Sequence, residues 1–382
     1  MKKLLSMVLC FAVALSCAAV FTGCKKEAKT YEIAVVTDVG QLKDGGFNQG
    51  TYEGAEAYAK AHNKTYKYYQ PANGSDATDN DRIAAMRQAV KNGAKIIVAP
   101  GYLQATAMRT VAMESPSVKF IFIDGWTLTN SVDKDNNDNG TPLANVTAVI
   151  YKEQESGYFA GYAVVKEGYT KLGATLGGGG SNPACNRFGY GFVQGAEAAA
   201  VEMNKSVEIK YSYKYGEGFS ASSALQTQIS GWYNDGTQVV FACGGSMFQS
   251  VKSAAEENST NDPKPKIVGV DVDQSSLSEY VITSAVKGLK ESVQKILGEY
   301  YDGQWDSKLG GKTSNLGASD NATGLPETTW KMQNFTLEQY KALFAKVAGG
   351  QVTIDSNVDG ISDTQKWFNA KSFTKVNVVV EA

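Results

Sequence analysis

Asp38, Asp124 and Asp271 each close an apolar run, Asp273 stands two residues further on, and Lys287 closes another such run. Phe47-Asn48 opens a helical pattern, Phe241 lies within the apolar run 238–242, and Gly244-Gly245 follows it. Carboxylates accept hydrogen bonds from ring N–H and sugar O–H groups, and aromatic rings stack on flat ligands. Gathered in one place, these residues suit a flat polar ring that carries hydroxyls. Each also has a plainer role. Asn48 fits a helix N-cap and Phe47 a hydrophobic staple. Asp38 and Asp124 fit turn caps, Phe241 a core strand position, Asp271 a helix cap, and Lys287 a solvated surface. The residues alone describe a binder and leave its ligand open.

Catalysis has few resources in this chain. The sequence holds a single histidine, His62, in the polar stretch 61–64. Any Ser-His-Asp mechanism or multi-histidine zinc site would have to run through it, and its surroundings fit a surface histidine. The glycine run 177–180 follows a strand pattern, but the dinucleotide fingerprint would need glycine where Asn182 stands. Gly311-Lys312-Thr313 ends like a phosphate loop, yet Asp306 replaces its first glycine. Gly244-Gly245-Ser246-Met247-Phe248 lacks the closing glycine of a nucleophile elbow. No cofactor, metal site or catalytic residue is expected. An extracellular nucleoside hydrolase stays as the rival from the enzyme class, with Asp271 and Asp273 as a pair that could hold calcium. A surface adhesin is a third reading.

The elements that must position these residues follow from periodicity. Strand patterns at 32–37, 66–69, 94–99 and 119–123 alternate with helical patterns at 48–61, 79–91 and 103–113. After a polar loop at 131–140 the alternation resumes, with strands at 145–151, 172–176, 207–211, 238–242 and 266–270. Helices are expected between them at 156–165, 191–203, 222–233 and 247–257. Near-continuous apolar strands alternating with helices predict parallel sheets covered on both faces. Residues 281–285 read as a crossing strand, 286–301 and 337–348 as helices, and 376–380 as a last strand. Two such series predict two doubly wound lobes, whose ligands sit at the carboxyl ends of the strands.

The first residues predict export. Met1-Lys2-Lys3 is basic, 4–20 is almost wholly apolar, and Phe21-Thr22-Gly23-Cys24 supplies small residues before a cysteine. This is the pattern of a signal peptide, and it resembles a bacterial lipobox with Cys24 as the lipidated first residue; Phe21 stands where that motif usually has leucine. Residues 1–23 are thus expected to be removed and 24–30 to form a tether. Losing Lys2 and Lys3 takes the formal charge from −2 to about −4, with no basic stretch, so nucleic acid is a poor partner. The remaining 359 residues exceed what one core usually serves. Apart from Cys24 only Cys185 and Cys243 remain, to pair or to stay as buried thiols.

Seven segments in order resemble one family. They are Val35-Val36-Thr37-Asp38 with Gly45-Gly46-Phe47-Asn48-Gln49; Phe120-Ile121-Phe122-Ile123-Asp124; residues 155–162; residues 187–192; Gly244-Gly245-Ser246; residues 269–274; and Thr283-Ser284-Ala285-Val286-Lys287. The chain resembles the basic membrane protein family of bacterial lipoproteins, purine nucleoside receptors that serve ABC transporters. The resemblance implies an α/β, type I periplasmic-binding-protein fold: two doubly wound parallel-sheet lobes joined by three crossover segments. The lobes are expected at 31–148 with 284–320, and at 149–283 with 321–382. It implies a purine clamped by Phe47 and Phe241, a base edge read by Asp38 and Asn48, and ribose hydroxyls held by Asp124, Asp271 and Lys287 near the Gly244 backbone. A pyrimidine nucleoside, riboflavin or a sugar are alternative ligands. Expected partners are permease subunits, and the membrane through the lipid on Cys24, on the extracytoplasmic face; the expected state is a monomer. The chain departs from the family pattern at Cys243, at 215–219, and at Met247 and Phe248, where a larger side chain would alter the pocket wall.

Overall fold

The strand Ile33–Val36 is buried at every position, as a strand in a sheet covered on both faces must be. The structure, a computed structural model, describes residues 30–39, 41–361 and 363–381. The expected signal peptide, the tether up to residue 29 and Cys24 lie outside the described residues. In chain order the regular elements are β1 (Ile33–Val36), α1 (Phe47–Ala61), β2 (Tyr66–Tyr69), α2 (Asp79–Lys91), β3 (Ile96–Pro100), α3 (Ala105–Glu114), β4 (Lys119–Ile123) and β5 (Val146–Tyr151). There follow α4 (Glu153–Glu167), β6 (Lys171–Leu176), α5 (Pro183–Met203), β7 (Val207–Ser212), α6 (Ser223–Asn234), β8 (Val239–Cys243), α7 (Met247–Glu257), β9 (Lys266–Asp271) and β10 (Val281–Lys287). The chain ends with α8 (Leu289–Tyr301), β11 (Thr313–Leu316), β12 (Thr323–Gly324), α9 (Leu337–Ala348), α10 (Thr364–Asn369) and β13 (Val376–Val380).

These strands form two sheets. One has the order β11-β5-β4-β3-β1-β2 and the other β12-β10-β9-β8-β6-β7-β13. All pairings are parallel except that of β12 with β10. The chain passes between the sheets after β5, after β10 and after β11, as a type I binding protein does. The first crossing follows Tyr151, which still pairs with Leu316 of β11, rather than residue 148, and the second follows Lys287 rather than 283, because β10 pairs with β9 as far as Val286. Apolar clusters cover both faces of each sheet.

Two elements differ from the sequence expectation in ways that matter for the site. α5 begins at Pro183, two turns before the expected 191, with Asn182 as a cap that accepts the Cys185 N–H at 2.8 Å. α4 begins at Glu153, three residues before the expected 156. Glycine in a helix argues against helix, and α5 carries Gly189, Gly191 and Gly195. Their reason is packing. Gly157 and Gly161 of α4 meet Gly191 and Gly195 of α5 backbone to backbone, and a Cβ at any of them would strike a carbonyl oxygen of the other helix. Small residues four apart allow this close crossing. It brings the first turns of both helices to the mouth of the second sheet.

Candidate functional site

A cleft of about 520 Å³ opens at the carboxyl ends of both sets of strands, where the fold rule places a ligand. Asp38 follows β1, Asp124 follows β4, Asp271 ends β9, Lys287 ends β10 and Gly244 follows β8; all five line the cleft, with Phe47 and Asn48 from the start of α1. Asp124 and Asp271 hold left-handed backbone, with φ of 54° and 68°. Aspartate tolerates that region better than most residues, but it still costs about 1–3 kcal/mol each. Gly101, after β3, has φ of 98°, and a Cβ there would collide with the Asp38 carboxylate.

The side chains form two connected groups. In the first lobe, Asn48 donates through Nδ2 to Asp38 Oδ1 at 3.1 Å and to Asp44 Oδ2 at 3.2 Å. Asp44 also accepts the backbone N–H groups of Gly46 and Asn48, both at 2.9 Å, and of Gln49 at 3.2 Å. Asp44, not Asn48, therefore caps α1. Burial pushes the Asp44 carboxyl up, against the N–H groups that favour its charge. With its amide nitrogen engaged, Asn48 leaves Oδ1 buried and without a partner.

The second group centres on Lys287, whose Nζ lies 2.6 Å from Asp124 Oδ2, 3.4 Å from Asp271 Oδ1 and 3.9 Å from Glu153 Oε1. Glu153 is fully buried and receives Arg187 Nε at 2.6 Å. The pair exists because the α4–α5 crossing sets Glu153 beside the first turns of α5. Burial disfavours the Lys287 charge, but the carboxylates of Asp124, Asp271 and Glu153 outweigh it and hold the ammonium well above its ordinary range. Burial lifts the Asp271 carboxyl to about 6, with Lys287 opposing and Asp124 and Asp44 adding to the rise. The Lys287 ammonium also sits 4.7 Å from the Phe47 ring centre and 5.4 Å from that of Phe188. Asp124 Oδ1 is buried without a hydrogen-bond partner.

Among the residues expected to touch the ligand, Phe241 lies elsewhere. It is wholly buried, stacked on Phe192 at 5.2 Å and edge-on to Phe188 at 6.2 Å. The cleft wall carries Phe188 and Phe219 instead. Phe219 has φ of 56° and packs over Gly177, Gly178 and Gly245. Asp273 faces Thr329 and lies off the cleft wall. Met247 and Phe248 are buried in the core rather than in the wall. Cys185 and Cys243 are free, buried thiols that line the cleft. His62 stacks on Tyr58 at 4.2 Å, away from the cleft. Sequence reasoning passed over Asp44, Glu153, Arg187, Phe188 and Phe219. The aromatic at 219, preceded by Gly216 and Gly218, was the available signal for the last; Glu153 and Arg187 needed the helix crossing.

Residues 31–356 match the family described as ABC transporter substrate-binding protein, PnrA-like (Bmp). The chain belongs to this family. It is 30% identical to the ABC transporter nucleoside-binding protein BmpA of Lactococcus lactis over 82% of this chain and 91% of that one. An uncharacterized lipoprotein of Pyrococcus abyssi is 26% identical, over 86% of this chain and 75% of its own length. A solved solute-binding protein of an ABC transporter system from Aeropyrum pernix shares the fold, with a TM-score of 0.68, 20% identity, and coverage of 88% and 96%. Bmp proteins are substrate-binding proteins rather than enzymes. The protein thus captures a small molecule, and the partners of a Bmp protein are the permease subunits of its transporter.

Proposed function

We propose that this Bmp protein captures a nucleoside, with a purine nucleoside as the best fit, and delivers it to its permease as a monomer tethered by a lipid on Cys24. The observation that carries the reading is the meeting of rings and unpaired acceptors in one cleft. Phe47, Phe188 and Phe219 offer faces for a flat base, while Asn48 Oδ1 and Asp124 Oδ1 await donors. In this reading Asp38 and Asn48 meet the base edge. Asp124, Asp271 and Lys287 meet the ribose hydroxyls, beside the Gly244 backbone. A buried acceptor left unpaired costs about 1–3 kcal/mol, so ligands rich in N–H and O–H groups are favoured. Five carboxylates line or adjoin the cleft (Asp38, Asp44, Asp124, Glu153 and Asp271), and they disfavour a phosphorylated ligand. The Lactococcus relative, named as nucleoside-binding, supports the same class. The tether reading rests on the lipobox-like residues 21–24, and the Pyrococcus relative carries the name lipoprotein.

A nucleoside has about 20 heavy atoms; at about −0.3 to −0.5 kcal/mol per atom, Kd falls between tens of micromolar and tens of nanomolar, on the order of those limits. Calorimetry of the ligand-free chain against inosine, guanosine, adenosine, uridine and riboflavin tests this. Heat with purine nucleosides is expected, and silence from every nucleoside would refute the reading. In Asp38→Ala the preference among bases is expected to collapse; an unchanged order of affinities would remove Asp38 from that role.

A further inference from the structure

Away from the ligand-lining residues, a fully buried side chain of the second lobe reaches the first. Gln274 lies in the second lobe, just after β9. Its Oε1 accepts the Val270 N–H at 3.0 Å, and its own N–H donates to Ser284 Oγ at 3.1 Å, so it is anchored within that lobe. Its Nε2 then reaches across and donates to the carbonyl oxygen of Gly45 at 2.9 Å. Gly45 belongs to the turn that Asp44 pins from inside and that presents Phe47 and Asn48. The neighbouring contacts are equally close. A Cβ at Gly45 would meet Leu277 at 3.0 Å, and one at Gly50 would meet Val272 at 2.8 Å. Gly45 is left-handed, at φ of 70°, so glycine serves both the turn and the approach.

We propose that Gln274 is a positioning residue for ligand capture: its amide latches the Phe47-bearing turn of the first lobe to the Asp271-bearing strand end of the second. Type I clefts work by lobe closure. A contact made only when the lobes approach shifts that equilibrium toward the binding-competent state. A hydrogen bond with no ligand in it raises affinity for every ligand alike. It acts on the release rate, since a ligand must wait for the lobes to part.

The inference rests on the nucleoside reading only for the choice of ligand, and its test has a ligand-free arm. Gln274→Glu keeps an oxygen for the Val270 N–H and replaces the donor facing Gly45 with an acceptor; Gln274→Met removes both bonds at similar size. Small-angle scattering of the ligand-free chain at pH 8 is expected to give a larger radius of gyration for both variants than for the wild type. Stopped-flow binding of inosine and guanosine is expected to show release about tenfold faster, with association changed less than threefold and the inosine-to-guanosine ratio unchanged. An unchanged radius in both variants overturns the latch. So does a slower association with normal release, or a shifted ligand preference. A lowered melting temperature with normal radius and release would show Gln274 to be structural only. Absence of nucleoside binding in the wild type would sink the functional reading and leave the scattering result to judge the latch.

Discussion

The first-lobe wall of the cleft carries Asp38, Asn48 and Asp124, polar groups at fixed strand and helix ends. The second-lobe wall carries Phe188, Phe219, two thiols and the Gly244-Gly245 backbone. Lys287 joins the two, paired to Asp124 of one sheet and Asp271 of the other. The contrast teaches a division of labour. In the proposed reading, hydrogen-bonding acceptors in the first lobe, with the Phe47 ring beside them, select which donors a ligand must bring. In that reading, rings and bare backbone in the second supply most of the area and shape, with Asp271 as the carboxylate of that wall. The Lys287 cluster bridges the two: it neutralises carboxylates that folding has buried and, in the proposed reading, faces the ribose.

The largest effect should come from breaking that link. Lys287→Met leaves Asp124, Asp271 and Glu153 buried with one fewer cation. A loss of about 3–5 kcal/mol in denaturant unfolding is expected, with nucleoside binding lost as well. Unaltered stability would mean that the cluster protonates instead of paying an ionic penalty.

The next pair separates wall from core within the second lobe. Phe241→Ala should cost about 3–5 kcal/mol of stability, since it empties a packed site. Phe219→Ala should cost little stability but about 1–3 kcal/mol of binding, the range for stacking a base on a ring. Denaturation and calorimetry on both variants decide the matter. Weakened binding with full stability in Phe241→Ala would restore it to the wall and undo the comparison.

The smallest expected effect is a pH dependence. Folding raises the Asp271 carboxyl from the ordinary 3.8 to about 6. Between those values the folded chain holds a proton that the unfolded chain has released. The stability due to that proton is therefore present below about pH 4 and lost as pH rises through 6, to a limit of about 3 kcal/mol. Unfolding of wild type and Asp271→Asn at pH 4, 5, 6 and 7 should show the variant gaining on the wild type across the window and holding level above it. Parallel curves would place the titration elsewhere.

Much of this was legible in the sequence. Strand ends are set by apolar runs, and Asp38, Asp124, Asp271 and Lys287 fall at those ends whatever the details of packing. Phe241 misled because strand position alone does not tell which face a ring takes; Phe192 and Phe188 claim it for the core. Glu153 and Arg187 were invisible for a different reason. They are 34 residues apart, and only the glycine crossing of α4 and α5 makes them neighbours. The glycines that make the crossing are the residues that concealed how early α5 starts.

That crossing has a consequence for how such a receptor can be retuned. Where two helices meet carbonyl to Cα, no rotamer change can absorb an added methyl group, so the seam tolerates almost no variation. Arg187 and Phe188 are thereby held as a fixed reference against which the cleft is measured. A receptor for a different solute, whether evolved or designed, would keep this seam. It would be rewritten at the strand-end loops.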